Sequence, residues 1–501
     1  MDADERLARG DALVKSLEKA GCAHAVCLKA TRDAGVGVFA ARDVEGGGVL
    51  VRCPVAHAWY ARDGDEFDDA IDALRVDGEP LDARERLQLH LLNERARSDV
   101  DKAPASDENL VQISRARYVL SLPGAELVTR NHDVDFPFRQ QSDYWYLTGL
   151  SEPSSMLLMA KGIGDLAQET LFLQPRDELA EIWHGKRLGA EGAMESLGFQ
   201  AAAPIEDFET HFAEWLPKAK RLWVSLGMNP AFDQKVLAAL TALRGKLRIG
   251  LEPPQILVDP RPELAQLRLF KSPAELDLLR KVAAVSSEAH CLAMAQCRPG
   301  MNEYELEALI HYTFRRHGCN DSGWAYPSIV AGGSNACILH YTNNDQPLAD
   351  GDVVLIDAGG EYQSYAADIT RTFPVNGKFS AAQRDIYEVV LAAQKASIEL
   401  SRPGCTHTEV HEASVKTLAD GLLQLKVLQG SVDEVIESQS YRSWYMHNTG
   451  HWLGLDVHDA GRYREGGSSI SLQPGMVMTI EPGLYFQADD ETIPAELRGI
   501  G

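Results

Sequence analysis

Four ionisable residues, each set against an apolar run, constrain this 501-residue chain more than any other feature. Asp357 closes Asp352-Val-Val-Leu-Ile-Asp357, and Asp368 lies in Ala367-Asp-Ile-Thr-Arg-Thr-Phe373. His451 opens His-Trp-Leu-Gly-Leu-Asp-Val-His458, and Glu481 follows Met476-Val-Met-Thr-Ile480, which reads as a strand. A carboxylate at the end of a buried strand is costly unless something neutralises it. Three carboxylates and an imidazole are a donor set suited to manganese, zinc or cobalt at a hydrolytic two-metal site.

Ten residues separate Asp357 from Asp368, Gly359-Gly360 among them. A hairpin would set the two aspartates opposite one another at about 5 Å. Carboxylates that close repel unless a cation lies between them. His447, His451 and His458 fall within twelve residues, a spacing that allows a ligand histidine beside an acid–base histidine.

Composition narrows the partners. A net charge of −24 argues against nucleic-acid or anionic-membrane surfaces, which require clustered Lys and Arg. The eight cysteines are dispersed, without zinc-finger spacing or the density of a secreted scaffold, which suits a reducing cytoplasm. The acidic start Met1-Asp-Ala-Asp-Glu5 is neither a signal nor a transit peptide, and no run approaches the roughly 18 apolar residues of a membrane span.

On a prior of roughly 150 residues each, the length allows about three domains. Residues 1–112 form the first. There Gly35-Val-Gly-Val-Phe-Ala-Ala-Arg-Asp-Val44 and Glu45-Gly-Gly-Gly-Val-Leu-Val51 read as two strands about a glycine turn. Leu87, Leu91 and Leu92 give residues 83–97 helical spacing, and a polar linker follows from Ser98. Residues 128–262 alternate strands and helices as an α/β domain. Aromatic-rich 136–149, Met156 to Ala160 and Thr170 to Leu173 read as strands, and Gln234 to Leu243 reads as a helix. Proline pairs around 251–254 and 259–262 mark a linker. From 264 onward the chain is α+β. Ser272-Pro-Ala-Glu275 is a capping box with proline at the first helical position, and Leu276, Leu279, Val282 and Ala283 share a face.

Taken together, the motifs resemble aminopeptidase P, the Xaa-Pro aminopeptidase of the pita-bread metallopeptidases. The resemblance runs from about 128 to 501. It rests on the four residues above, on Glu181-Ile-Trp-His-Gly-Lys-Arg-Leu-Gly189, Arg268-Leu-Phe-Lys-Ser-Pro273 and Ile338-Leu-His-Tyr-Thr342, and on Glu481-Pro-Gly-Leu-Tyr485. It implies an α/β aminopeptidase P N-terminal domain over 128–262 and an incomplete pita-bread domain over 264–501. It also implies two divalent ions, usually manganese. Asp357 would hold one ion, Asp368 would bridge both, and His451 and Glu481 would hold the other. Glu481 would take a proton from the attacking water, and His340 and His458 would steady the tetrahedral intermediate. Trp183, His447 and Tyr485 would meet the substrate, a peptide with proline second. In relatives the tryptophan comes from a neighbouring subunit, which implies a homo-oligomer.

Two departures from the family are expected. Its pattern continues past Arg498-Gly-Ile-Gly501 into a strand with an arginine and a glutamate that bridges both ions. Neither lies within the 501 residues, so the chain as written is expected to bind the second ion poorly and to be impaired. At the front, Leu122-Pro-Gly-Ala-Glu-Leu-Val128 is expected to leave no room for the usual first strand. The Gly35–Val44 stretch separately resembles the opening of a SET-domain methyltransferase, over some thirty residues only. Competing readings are a non-catalytic pita-bread module that binds peptide or protein, and a prolidase confined to Xaa-Pro dipeptides.

Overall fold

A computed structural model describes residues 117–501 except 162, 164–168 and 321–322, together with the backbone of five short strands nearer the N-terminus. The chain divides into two compact units, Met1–Leu267 and Arg268–Gly501.

In the first unit Gly35–Ala40 is a strand, as its pattern indicates. Its partners are Val26–Thr31, antiparallel from Val26 opposite Ala40 to Thr31 opposite Gly35, and Cys53–Pro54. Residues 45–51 and 83–97, expected as strand and helix, lie outside the described residues.

A six-stranded mixed sheet follows, in the order Ala201–Pro204, Glu169–Leu173, Met156–Lys161, Tyr118–Pro123, Arg221–Trp223 and Ile256–Val258. Alternation sends Leu120, Leu157 and Leu171 into one core, and Val119, Leu158 and Phe172 into the other. Both faces are covered, which is why these strands read as unbroken apolar runs.

Three expectations need correction here. Tyr118–Pro123 is a central strand, so the first strand is present; Tyr118-Val-Leu-Ser-Leu122 lies N-terminal to the glycine and proline that suggested its absence. Ser142–Thr148 is a helix rather than a strand, because Gln141 accepts from the Tyr144 amide and Gly149 closes it in the left-handed region. Its aromatic residues pack by helical spacing, with Tyr144 and Leu147 buried. Residues 251–262 are also not simply a linker. Ile256–Val258 is the edge strand, and the helix Arg261–Leu269 buries Leu264 and Leu267 in the first unit's core.

The second unit is built on an antiparallel sheet of Ile329–Gly332, Val353–Asp357 and Thr370–Pro374. The helices Pro273–Gln296 and Glu303–Arg316 cover it through Val282, Leu306, Ile310 and Phe314. The expected capping box closes on Ser272 and Glu275, but Ala283 faces solvent, and the buried stripe continues through Val285 and Ala289. The helices Ala381–Leu400 and His407–Gln424 pair over Tyr445, Leu484 and Phe486. Met476 to Ile480 is extended, but it forms ladder hydrogen bonds through an isolated bridge rather than a full strand.

A buried ion cluster pins the loop that carries His458. Asp459 accepts from Arg268 at 2.5 Å and Lys271 at 2.8 Å, and Asp456 accepts from Arg268 at 2.7 Å. Arg268, Lys271 and Asp459 are almost wholly buried, so removing the anion strands two cations away from water. Asp459→Ala should therefore lower unfolding free energy by about 3–5 kcal/mol in urea titrations. A change below about 1 kcal/mol, the range of an exposed pair, would show that Asp459 does not neutralise the pair.

Candidate metal centre

Two antiparallel pairs deliver the four residues in the same way. In the first, Asp357 stands opposite Thr370, and the register continues to Glu361 opposite Ala366. Asp368 is therefore the diagonal neighbour of Asp357 on the same face, not its direct partner as the hairpin argument supposed. Gly359 is required at the crossing: a Cβ there would meet the Ala367 carbonyl oxygen at 1.7 Å.

In the second pair, residues 449–453 run against 477–481. The bonds are Leu453 N–H to Val477 O at 3.0 Å, Thr479 N–H to His451 O at 2.9 Å and Glu481 N–H to Thr449 O at 2.7 Å. His451 lies opposite Thr479, so Glu481 is again a diagonal, same-face neighbour. Gly450 has the matching role, because a Cβ there would meet the Thr479 carbonyl oxygen at 1.9 Å.

Ligand atoms of Asp368, His451 and Glu481 lie within 4.8 Å of one another. His451 Nε2 is 3.1 Å from Glu481 Oε1 and 3.3 Å from Asp368 Oδ2, while Nδ1 is 3.0 Å from the Trp452 carbonyl oxygen. Asp357 is outside that trio but joined to it: the Tyr326 hydroxyl lies 2.5 Å from Asp357 Oδ1 and 3.0 Å from Asp368 Oδ1. The Thr479 hydroxyl meets Glu481 Oε1 at 2.8 Å and accepts from the His451 amide at 3.0 Å.

The electrostatics follow from crowding. Burial, then the Asp368 charge, pushes Asp357 up to about 7, partly opposed by the Tyr326 hydrogen bond. Burial works against a charged His451, but its bonds to Asp368 and Glu481 outweigh that and raise it to about 10. The site gathers more negative charge than one imidazolium balances. Carboxylates with one imidazole suit a hard or borderline divalent cation, so the donor set fits the ions that the sequence implied.

Of the other expected residues, His458 packs edge-on to His451 with ring centroids 4.2 Å apart. Burial and the neighbouring His451 lower its pKa, with His340 a smaller contributor. His340 is exposed. His447 Nε2 is 2.9 Å from the Tyr485 hydroxyl, whose pKa burial and Glu481 raise. Trp183 belongs to the first unit, on the helix Glu178–His184, and is 83% exposed. Sequence reasoning missed Tyr326 and Thr479. Thr479 carried a signal, as the one polar residue in Met476-Val-Met-Thr-Ile480. Tyr326 carried none, since nothing local marks a tyrosine as a carboxylate partner.

Residues 277–500 match the family model described as Metallopeptidase family M24, and residues 107–223 match Aminopeptidase P, N-terminal domain. Neither match reaches the stretch that resembles a SET domain. An Xaa-Pro aminopeptidase of Escherichia coli (strain K12) is 46% identical over 374 residues, covering 75% of this chain and 84% of that protein. The structure of Pseudomonas aeruginosa aminopeptidase PepP aligns with TM-score 0.75 and 42% identity, covering 82% of this chain and 90% of that one. A zinc-substituted Escherichia coli aminopeptidase P in complex with product aligns with TM-score 0.74 and 44% identity, covering 77% of this chain and 86% of that one.

Metal binding must displace the protons that crowding retains, so affinity should rise with pH. Below about 7 two protons leave, from Asp357 and His451; above it only the His451 proton does. Calorimetric titration with Mn2+ should show apparent affinity climbing about a hundredfold per pH unit below 7 and about tenfold above. Tyr326→Phe removes a bond that favours ionised Asp357 and should move the break to higher pH. A pH-independent affinity would contradict this account of the charges.

Proposed function

The chain belongs to the aminopeptidase P family of metallopeptidases, and from that premise we propose that it is an Xaa-Pro aminopeptidase. It removes the N-terminal residue from peptides with proline in second position. The observation that carries the reading is the meeting of Asp368, His451 and Glu481 within 4.8 Å, tied to Asp357 by Tyr326.

In this reading Asp357 and Asp368 hold one divalent ion, most often manganese, and Asp368, His451 and Glu481 hold the other. When bound, the ions polarise the scissile carbonyl and lower the pKa of the attacking water. Glu481 receives that water's proton, and the Thr479 hydroxyl at 2.8 Å holds its carboxylate in orientation. His458, its pKa lowered by burial and by His451, contacts the developing oxyanion as a neutral imidazole, with His340 beside it. His447 and Tyr485, already bonded at 2.9 Å, form a polar wall for the substrate. Of the domain limits 128–262 and 264–501, we extend the first at both ends, to include Tyr118–Pro123 and the helix residues through Leu267 that pack in its core, so that the second begins at Arg268.

The protein would work as a cytoplasmic homo-oligomer. Among the described residues no helix is long and apolar enough to cross a membrane. The helix Glu178–His184 buries none of its residues and exposes Leu179, Ile182 and Trp183 by 74–83%, which suits contact with a second copy.

Two measurements test this. Mn2+-supplemented protein should release the first residue from peptides with proline second, including peptides longer than two residues, and not from matched peptides with alanine second. Asp368→Ala should abolish turnover, and Glu481→Gln should lower kcat by about 10²–10⁴-fold. Turnover of dipeptides alone would favour the prolidase reading, and saturable peptide binding without Mn2+-dependent turnover would favour a binding module. Separately, Trp183→Ala should raise KM and shift the sedimentation equilibrium toward monomer. Unchanged values for both would remove Trp183 from the site and the interface.

A further inference from the structure

Among the described residues, Glu303 is a fully buried carboxylate that accepts four hydrogen bonds, and the metal chemistry does not use it. It is the first residue of the helix Glu303–Arg316 and has no solvent exposure. Oε1 accepts from the Gly332 amide at 2.8 Å and Asn335 Nδ2 at 3.0 Å. Oε2 accepts from the Tyr341 hydroxyl at 2.7 Å and the Gln346 amide at 2.9 Å. Its own amide donates to the Gln346 carbonyl at 3.0 Å.

All four side-chain bonds go to one stretch, from the end of the strand Ile329–Gly332 to Gln346. That stretch has little apolar anchorage at its tip, where Ile338, Leu339 and His340 are all exposed. Tyr341, the residue after His340, is buried, and its hydroxyl ends on Glu303. Asn344 ties the far side down through Val330 N–H at 2.9 Å and Ser328 O at 2.8 Å. A buried carboxylate with four donors forms strong, directional bonds at a helix N-terminus.

We propose that Glu303 is a positioning residue for the peptidase reaction: it fixes the 332–346 loop so that His340 faces the substrate. This rests on the proposed role of His340 and deepens it. An exposed catalytic imidazole gains nothing from its own packing, so its placement must come from the residues beside it, and Tyr341 is the one anchored directly to a charge. Glu303→Gln keeps size and one acceptor oxygen but turns an N–H₂ group toward two of the four donors. The loop should loosen without a cavity forming.

The test is a double-mutant cycle on the full chain with Mn2+ and a proline-second peptide, alongside amide hydrogen exchange. Glu303→Gln should lower kcat/KM by about 10²-fold, mainly through kcat, as expected for a misplaced catalytic group. In a His340→Ala background the same change should cost less than about twofold, because the group it positions is gone. Exchange should quicken within 332–346 while 353–357 and 370–374 keep their protection, a result readable whether or not turnover is high. If the two substitutions are additive, Glu303 does not act through His340 and the proposal is overturned. Faster exchange throughout the second unit would overturn it too, by making Glu303 a general fold determinant. A silent His340→Ala alone would instead refute the role of His340, and the exchange pattern would then report only on loop anchorage.

Discussion

Carboxylates repel, and the second unit is organised around holding three of them beside one imidazole. Asp357 and Asp368 share a tyrosine hydroxyl, while Asp368 and Glu481 share the edge of His451. Neither arrangement survives full ionisation in a half-buried site without added positive charge, which is why crowding retains protons on Asp357 and His451. The surrounding packing supplies the rigidity that such a cluster lacks. Helix pairs cover the sheet on one side and the second hairpin-like pair on the other, and the Arg268–Lys271–Asp459 cluster fixes the loop between His451 and the strand that follows it.

The two antiparallel pairs solve the same problem twice. Each supplies two ligands that are diagonal neighbours on one face, and each has a glycine where a side chain would collide with the facing carbonyl. A directly opposed pair of aspartates would bring the charges closer than a cation between them requires. The diagonal offset leaves lateral room and allows Tyr326 to reach both.

The chemistry was more legible in the sequence than the fold's details. Charged residues at the ends of apolar runs stand out because burial of charge needs a reason, so Asp357, Asp368, His451 and Glu481 could be read directly. The capping box at Ser272 was legible for a similar reason, since its partners sit at fixed spacing. Tyr326 and Glu303 were not. A tyrosine's partner is set by tertiary packing, and a glutamate at a helix start looks like any favourable first-turn acid until four donors are seen to converge on it. The helix Ser142–Thr148 was misread because its aromatic density imitates a strand, whereas the deciding cap at Gln141 is a residue type that rarely announces a helix. The Tyr118 strand was missed because the domain was started at Val128, after the Pro123-Gly124 turn that ends the strand.

The bond between His451 Nδ1 and the Trp452 carbonyl has a kinetic consequence. A carbonyl can only accept, so the proton of neutral His451 must sit on Nδ1. The remaining lone pair then lies on Nε2, which points toward Asp368 and Glu481. The ring therefore needs neither a flip nor a tautomer exchange to become a ligand. On the His451 side, loading then needs the Nε2 proton to leave but no turn of the ring.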